Sequence, residues 1–487
     1  NNMGKLVNVK YAPSTEDYLA DREAGTPWVT KLPFPVHVLR ETETIDRIGG
    51  VRHHTEYRYH HGYFDGPERE FRGFGMVETI DTKAYEAYED TDQGRHYVQP
   101  VITRTWFHTG AYLKMPGIST HFAGEYFKGT GDISGDELVD TVIENQGVLG
   151  DQELREAHRA LKGVTLRQEV YEYDHATKKP KITFSDGGVE RAEPYTAAES
   201  NFNVRTVQRL NGQKHGVFAV EPRETITWHY EQNSSDPRVA HQFTLDVDSF
   251  GNVKKTASVV YPRHGGSLPD EQTTPHITCQ LNRFINNDPL GLGEAGDSTA
   301  TGTFHLLGIP NDSRSFEIGG ITVSTPGYLG FDEMAAHLSE TDSVNGALHP
   351  SKIIRFDQSL TTGPQARLIS WQRFAYWNQA QSSGVFGEVT DKGLVHHVET
   401  AMFTPELLDA VYGTNGITGG MLTEGGYKSY PSGDEAAYLW NAGIVQFYEG
   451  AAGFYLPNET QDPWGNSVTV TFDSYRIAPI STLDAVG

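Results

Sequence analysis

Apolar and polar residues alternate with a period of two through most of this chain, and that alternation dictates strands with one face turned to a core. Lys5-Leu6-Val7-Asn8-Val9-Lys10-Tyr11, Val36-His37-Val38-Leu39, Thr165 to Tyr171 and Val468-Thr469-Val470-Thr471-Phe472 all read this way. Clusters of turn formers separate such runs: Gly49-Gly50, Gly66-Pro67, Asp186-Gly187-Gly188, Asn211-Gly212 and Gly265-Gly266. Gly 51 and Pro 24 follow no triplet period, which excludes a collagen-like chain. Tyr 24, Phe 23 and Trp 7 supply the large buried surfaces that a disordered chain lacks. A mostly β protein is expected, and 487 residues hold a core without disulfides or metals.

Helices are the minority. Ser134-Gly135-Asp136-Glu137 has the form of a capping box, followed by Leu138, Val142 and Ile143 on one helical face. Glu153 to Lys162 places Leu154, Ala157 and Leu161 at helical spacing, with Gly163 as a stop. Thr404-Pro405 opens a third short helix through Leu408, and Phe331 to Leu338 forms a fourth.

One echo recurs at long range. Asp248-Ser249-Phe250-Gly251-Asn252 is followed by Tyr261, and Asp462-Pro463-Trp464-Gly465-Asn466 by Tyr475, so the Asp-to-Tyr spacing is the same from 248 to 261 and from 462 to 475. Asp and Asn close turns with their side chains and Gly accepts positive φ, so both segments read as hairpin turns, each leading into a strand that carries the Tyr. Glu56-Tyr57-Arg58-Tyr59 and Tyr171-Glu172-Tyr173-Asp174 are related tyrosine-rich strands. Asp65, Gly66, Gly73, Gly75, Asp248, Gly251, Asn252, Asp462, Gly465 and Asn466 are therefore the candidate turn-setting residues.

Charge narrows the function. A net charge of −24 repels phosphate backbones and anionic lipid, which disfavours nucleic-acid and membrane-surface roles. The single Cys279 forms no internal disulfide and sits in a strand-like context, where a lone thiol behaves as a small hydrophobe. No apolar run approaches the roughly 20 residues that span a bilayer. Asn1-Asn2-Met3-Gly4 shows no signal-peptide pattern and reads as a cut from something longer.

No constellation reads as a catalytic centre. His53-His54, His60-His61 and His396-His397 are adjacent pairs, and neighbours on a strand point to opposite faces, so no pair is expected to converge on one metal ion. Asp65, Glu68 and Glu70 crowd one turn, with Arg69 and Arg72 as salt partners, and are not expected to span a cleft as glycosidase carboxylates do. Nucleophile elbows, phosphate-cradling loops, dinucleotide glycine patterns and calcium loops are missing from the sequence. No cofactor and no metal are expected. Trp106, Trp228, Trp371, Trp377 and Trp440 suit either the core or a sugar-stacking platform.

Longer segments resemble the B component of bacterial insecticidal toxin complexes. These are Tyr11-Ala12-Pro13-Ser14-Thr15, Gly25 to Val38, His60 to Gly66, Glu68 to Gly75, Thr105 to Gly110, Arg155 to Tyr171, Asp246 to Pro262, Phe454-Tyr455-Leu456-Pro457 and Asp462 to Asn466. The resemblance covers most of the chain and is least around Asn286 to Thr301 and Ile480 to Gly487. It implies a large curved antiparallel sheet of Rhs (YD-type) hairpin repeats, part of a hollow cocoon-like shell with a few short helices. Residues 1–90 would follow an upstream propeller and enter the shell, 91–265 would form a middle region with helices near 135–162, and 266–487 would supply Rhs-like shell strands.

The implied function is non-enzymatic: a wall that encloses the toxic effector of a C-component Rhs chain before translocation, in a secreted toxin. The implied partners are that C-component-like chain, or a downstream Rhs region of the same chain, and the enclosed effector. The family's propeller, toxic segment and self-cleavage site have no match in these residues, so docking to the A-component channel is not carried over. A carbohydrate-binding or carbohydrate-cleaving cell-surface β protein is the alternative from the residues themselves, and a scaffold that binds a protein at a sheet edge is the third.

Overall fold

A computed structural model describes residues 4–48, 51–82, 100–113, 117–129, 138–186, 188–266, 268–323, 327–413 and 416–486. The chain is mostly β and divides into two compact units. One unit holds residues 1–243, 260–275 and 323–328; the other holds 244–259, 276–322 and 329–487.

In the first unit the strands are β1 (Lys5–Pro13), β2 (His37–Asp46), β3 (Val51–Asp65), β4 (Glu70–Thr82), β5 (Val101–Phe107), β6 (Val142–Ile143) and β7 (Thr165–Asp174). They continue through β8 (Lys179–Pro180), β9 (Phe184–Asp186), β10 (Val189–Arg191), β11 (Thr196–Gln208), β12 (Val217–His229) and β13 (Arg238–Val247). β1 to β5 form an antiparallel meander in chain order. The meander continues from β5 to β7, β11, β12 and β13. β6 joins β11 in parallel, β8 closes on β7, and β9 pairs with β10.

Three helices lie in this unit: α1 (Thr15–Glu23), α2 (Ile118–Ala123) and α3 (Asp151–Ala160). α3 is the expected amphipathic helix. It buries Ala157 and, just past its end, Leu161 against Ile143 and Val204, and Gly163 stops the chain at φ 88°. α1 was not legible, because it docks through charge: Asp17 receives both guanidinium nitrogens of Arg40, at 2.9 and 2.8 Å. The expected helix at 134–143 is corrected. Ser134 to Glu137 lie outside the described residues, while Val142 and Ile143 form the strand β6, a β-branched pair whose backbone bonds go to β11.

In the second unit the strands are β14 (Val253–Val260), β15 (His276–Asn287), β16 (Leu306–Gly319), β17 (Ile353–Ile354), β18 (Gln365–Trp377), β19 (Gly384–Phe386) and β20 (Val395–Phe403). There follow β21 (Tyr427–Lys428), β22 (Leu439–Asn441), β23 (Val445–Tyr448), β24 (Pro457–Gln461), β25 (Ser467–Phe472) and β26 (Pro479–Leu483). β15, β16, β18, β20 and β22 pair antiparallel in that order, with β17 and β19 against β18 and β21 against β22. β23 to β26 form a separate four-stranded meander.

The helices here are α4 (Phe331–His337), α5 (Pro405–Tyr412) and α6 (Gly419–Glu424). α4 and α5 fall where the sequence places them. Thr404 caps α5 by accepting from Leu407 N at 3.1 Å, with Pro405 in the first turn. Trp371 and Trp440 pack edge to face, 4.9 Å between centroids, at the centre of this unit.

Candidate functional site: hairpin turns and buried charge clusters

The two echoed turns have the same geometry. In each, Asp N donates to Asn O at 3.0 Å and Gly N to Asp O at 3.0 Å. The Asp Oδ1 atom then accepts from the residue two positions on, Phe250 N or Trp464 N, at 3.0 Å. It also accepts from the Asn backbone N at 2.8 Å, and Oδ2 accepts from Asn Nδ2 at 2.9 Å. Gly251 and Gly465 stand at φ 89° and 86°, a region a side chain enters only at a cost. The asparagine contact and three backbone N–H groups hold the Asp462 carboxyl below its usual range. The echo ends before the tyrosines. Tyr261 and Tyr475 lie just past β14 and β25 rather than inside them, the first buried and the second 78% exposed.

The other turn candidates serve three different purposes. Asp65 and Gly66 lie at the β3–β4 turn: Glu68 N donates to Asp65 Oδ1 at 3.1 Å, Arg69 N donates to Gly66 O, and Arg69 itself takes the positive φ of 53°. Gly73 lies in β4 at φ 92°, where two β4 residues fall between pairs separated by one residue of β3, and so forms a bulge. Gly75 also lies within β4, and a Cβ there would sit 2.4 Å from Phe122 Cζ, so its role is close packing.

The carboxylates at this turn are held by cations from β4 and α3, and Arg72 serves both Asp65 and Glu70. Asp65 and Arg72, both buried, pair at 3.0 Å, while α3 supplies Arg159 to Glu68 at 3.3 Å, and Lys162 just beyond it reaches Glu70 at 2.8 Å. The nearest Arg in sequence, Arg69, is exposed.

Deeper in the same unit lies a network that sequence reasoning missed. Arg167 on β7 donates to Glu169 at 2.7 Å, to Glu199 on β11 at 2.6 Å and to Phe127 O at 3.0 Å, and lies over the rings of Tyr126 and Trp228. Tyr171 OH donates to Glu169 at 2.6 Å, and Phe127 N and Leu138 N complete the two carboxylates. The carboxylates more than offset burial and hold the guanidinium above its ordinary range. Its signal in the sequence was the i, i+2 spacing of Arg167, Glu169 and Tyr171, which puts all three on one strand face.

Cys279 is buried and burial pushes its thiol up to about 12, which suits a packed hydrophobe rather than a nucleophile. Trp106, Trp228, Trp371, Trp377 and Trp440 are all buried, so none offers an open face for a sugar ring. Among the described residues no group of three His, Cys, Asp or Glu could hold a metal ion, and no helix is long and apolar enough to cross a membrane.

The histidine pairs behave unequally. His53 meets Asp81 at 3.1 Å and His54 approaches Glu41 at 3.8 Å, on different neighbours as strand alternation requires. His60 and His61 likewise diverge, to Asp21 at 2.7 Å and Glu125 at 2.9 Å. His396 and His397 do not: their Nδ1 atoms meet at 2.7 Å. The cause is a register shift in the β18–β20 pairing, where Ala375 faces His397 but Tyr376 faces Val395. The extra residue of that bulge is His396, which turns its ring back onto its neighbour. His397 Nε2 lies 3.1 Å from the buried Glu399, which also takes Lys428 and Tyr430. Burial and the neighbouring ring hold His396 at about 4, burial and Lys428 hold His397 at about 4, and burial and Arg373 hold Lys428 at about 8.

Residues 1–110 match the model of the insecticide toxin TcdB middle/N-terminal region, and residues 156–288 match its middle/C-terminal region. A crystal structure of TcdB2-TccC3 is 23% identical over 99% of this chain, with a TM-score of 0.71. The Photorhabdus luminescens Tc holotoxin pore is 25% identical over the whole chain (100%), with a TM-score of 0.72, and TcdB2-TccC3-Cdc42 is 24% identical over 99%, with a TM-score of 0.70. The chain spans 23%, 22% and 23% of those three chains, so it corresponds to less than a quarter of each. No curated protein matches it. Two TcdB regions in their own order, on a fold shared with these toxin complexes from end to end, place the chain in the Tc toxin B-subunit family, as a middle region of that subunit.

Proposed function

We propose that this chain is a non-enzymatic wall segment of a secreted toxin complex, part of a shell that encloses the effector of a C-component-type Rhs chain. One observation carries the reading: the fold match to TcdB2-TccC3 runs over 99% of the chain. The residues support it, since the polar clusters described above close on themselves through ion pairs and turns. In this reading residues 1–90 enter the shell, 91–265 form its middle part and 266–487 supply further strands. The partners are the C-component-like chain, or a downstream Rhs region, and the enclosed effector. The ten turn candidates then serve strand connection and packing.

Co-expression with a TccC-type Rhs chain tests the proposal. The two should co-elute in size-exclusion chromatography and protect the effector segment from added protease. A chain that elutes alone and leaves the effector fully cleavable overturns the enclosure role. Micromolar binding on a glycan array would instead favour a carbohydrate-directed function.

A further inference from the structure

We propose that the His396–His397 pair is an acid-sensitive latch that holds the β23–β24 hairpin onto the β18–β20 strands. The inference concerns only the second unit and goes beyond the enclosure role. The latch is built from three contacts in series. The two rings share one hydrogen bond between Nδ1 atoms 2.7 Å apart, so one ring donates and the other accepts. The His396 ring lies against Trp377 at 4.2 Å between centroids. Trp377 Nε1 then donates to Gln446 O in β23 at 2.7 Å. Room for the His396 ring exists because position 384 is glycine: a Cβ there would sit 2.6 Å from His396 Cγ.

A proton on the accepting nitrogen sets two N–H groups face to face at that distance, so the pair cannot survive with both rings charged. Charges on every neighbouring element bear on this. Lys428 from β21 and Arg373 from β18 oppose a second positive charge. On β20 itself Glu399 favours one, but Lys428, Tyr430 and His397 already occupy it, while Arg373 is drawn toward Glu435 at 3.5 Å. Asp462 lines the adjoining cavity, and its carboxylate is taken up by its own turn. That cavity, of about 550 Å³, is bounded by His396, His397, Gln446 and Trp464 and gives water and protons a route to the pair.

The sign follows from linkage. The closed latch holds both rings at about 4, and a released ring returns toward about 6.5. Opening therefore takes up protons as pH falls below about 6.5, and its equilibrium constant rises up to about tenfold per pH unit for each ring until about pH 4.

Hydrogen exchange on the full chain, corrected for intrinsic rates, tests the latch at pH 7.0 and 5.0. Peptides covering 445–461 should lose about a hundredfold or more of their protection at pH 5.0, which lies above the ordinary carboxylate range, while β15 keeps its own. His396→Phe retains a ring against Trp377 without its own titration, and should shrink the change by about tenfold, to what His397 alone contributes. His397→Gln removes the other half of the pair and should do the same, with β15 protection reporting that either variant is folded. Equal protection of 445–461 at the two pH values in the unaltered chain overturns the latch, and so does an undiminished loss in a folded variant.

Discussion

Asn286 reaches back across the chain to Asp248, its Nδ2 donating to Oδ2 at 2.8 Å, and so locks into the interior a turn whose twin at Asp462 is half-buried. The same Asn286 takes Gly308 N on its own Oδ1 at 2.7 Å. Identical local chemistry thus has unequal consequences. Asp248→Ala removes the acceptor that Asn252 and Asn286 share and should cost about 2–4 kcal/mol, more than Asp462→Ala. Urea denaturation of the two variants checks the difference; equal losses would show that the local turn alone sets the cost.

Gly251→Ala and Gly465→Ala test backbone conformation without a steric confound, since a Cβ at either position meets nothing within 4 Å. Each should cost about 1–3 kcal/mol through the positive φ alone. Gly75→Ala should cost a similar amount for the opposite reason, a collision with Phe122, and Phe122→Leu should recover part of it. A thermal melt of Gly75→Ala together with Phe122→Leu no better than Gly75→Ala alone removes the packing explanation.

Arg167→Met strips the cation that bridges Glu169 and Glu199 and leaves both carboxylates buried. A loss of about 3–5 kcal/mol is expected, larger than for any exposed ion pair such as Lys10–Glu41. Chemical denaturation at pH 7 measures it. A loss below about 1 kcal/mol would mean that the carboxylates find water or protons instead.

His108 and His241 are buried and held near 3, His108 by burial and by the neighbouring His158, His241 by burial alone. The unfolded chain binds their protons at about 6.5, so the stability they contribute is full above that pH and falls as the medium is acidified toward about 3. At pH 5 each should have cost about 2 kcal/mol relative to pH 8. His108→Asn preserves an acceptor for Gly110 N, which His108 Nδ1 now takes at 2.9 Å, and should flatten the pH slope by about one proton. An unchanged slope would assign the acid sensitivity elsewhere.

Much of the fold was legible because period-two alternation and turn chemistry are local signals. Lys5 to Tyr11, Thr165 to Tyr171 and Val468 to Phe472 are strands, and Asp248 and Asp462 close their turns as Asp and Asn suggest. What stayed hidden depends on partners far away in sequence. α1 is held by Arg40, 23 residues beyond Asp17, and no apolar stripe announces it. Val142 and Ile143 become a strand because β11 is there to pair with. His396 meets His397 only because the strand slips register against β18, and alternation alone predicts the reverse.

The meander of the first unit has a bearing on how such a chain is made. From β1 through β5, then β7, β11, β12 and β13, each strand docks on the one before it or on the latest long one. A polypeptide emerging from the ribosome can therefore lay down this sheet row by row, each new strand pairing with the growing edge. Each closure joins the growing edge to a strand that follows it in the chain, and that edge has little chance to join a wrong neighbour before its successor arrives.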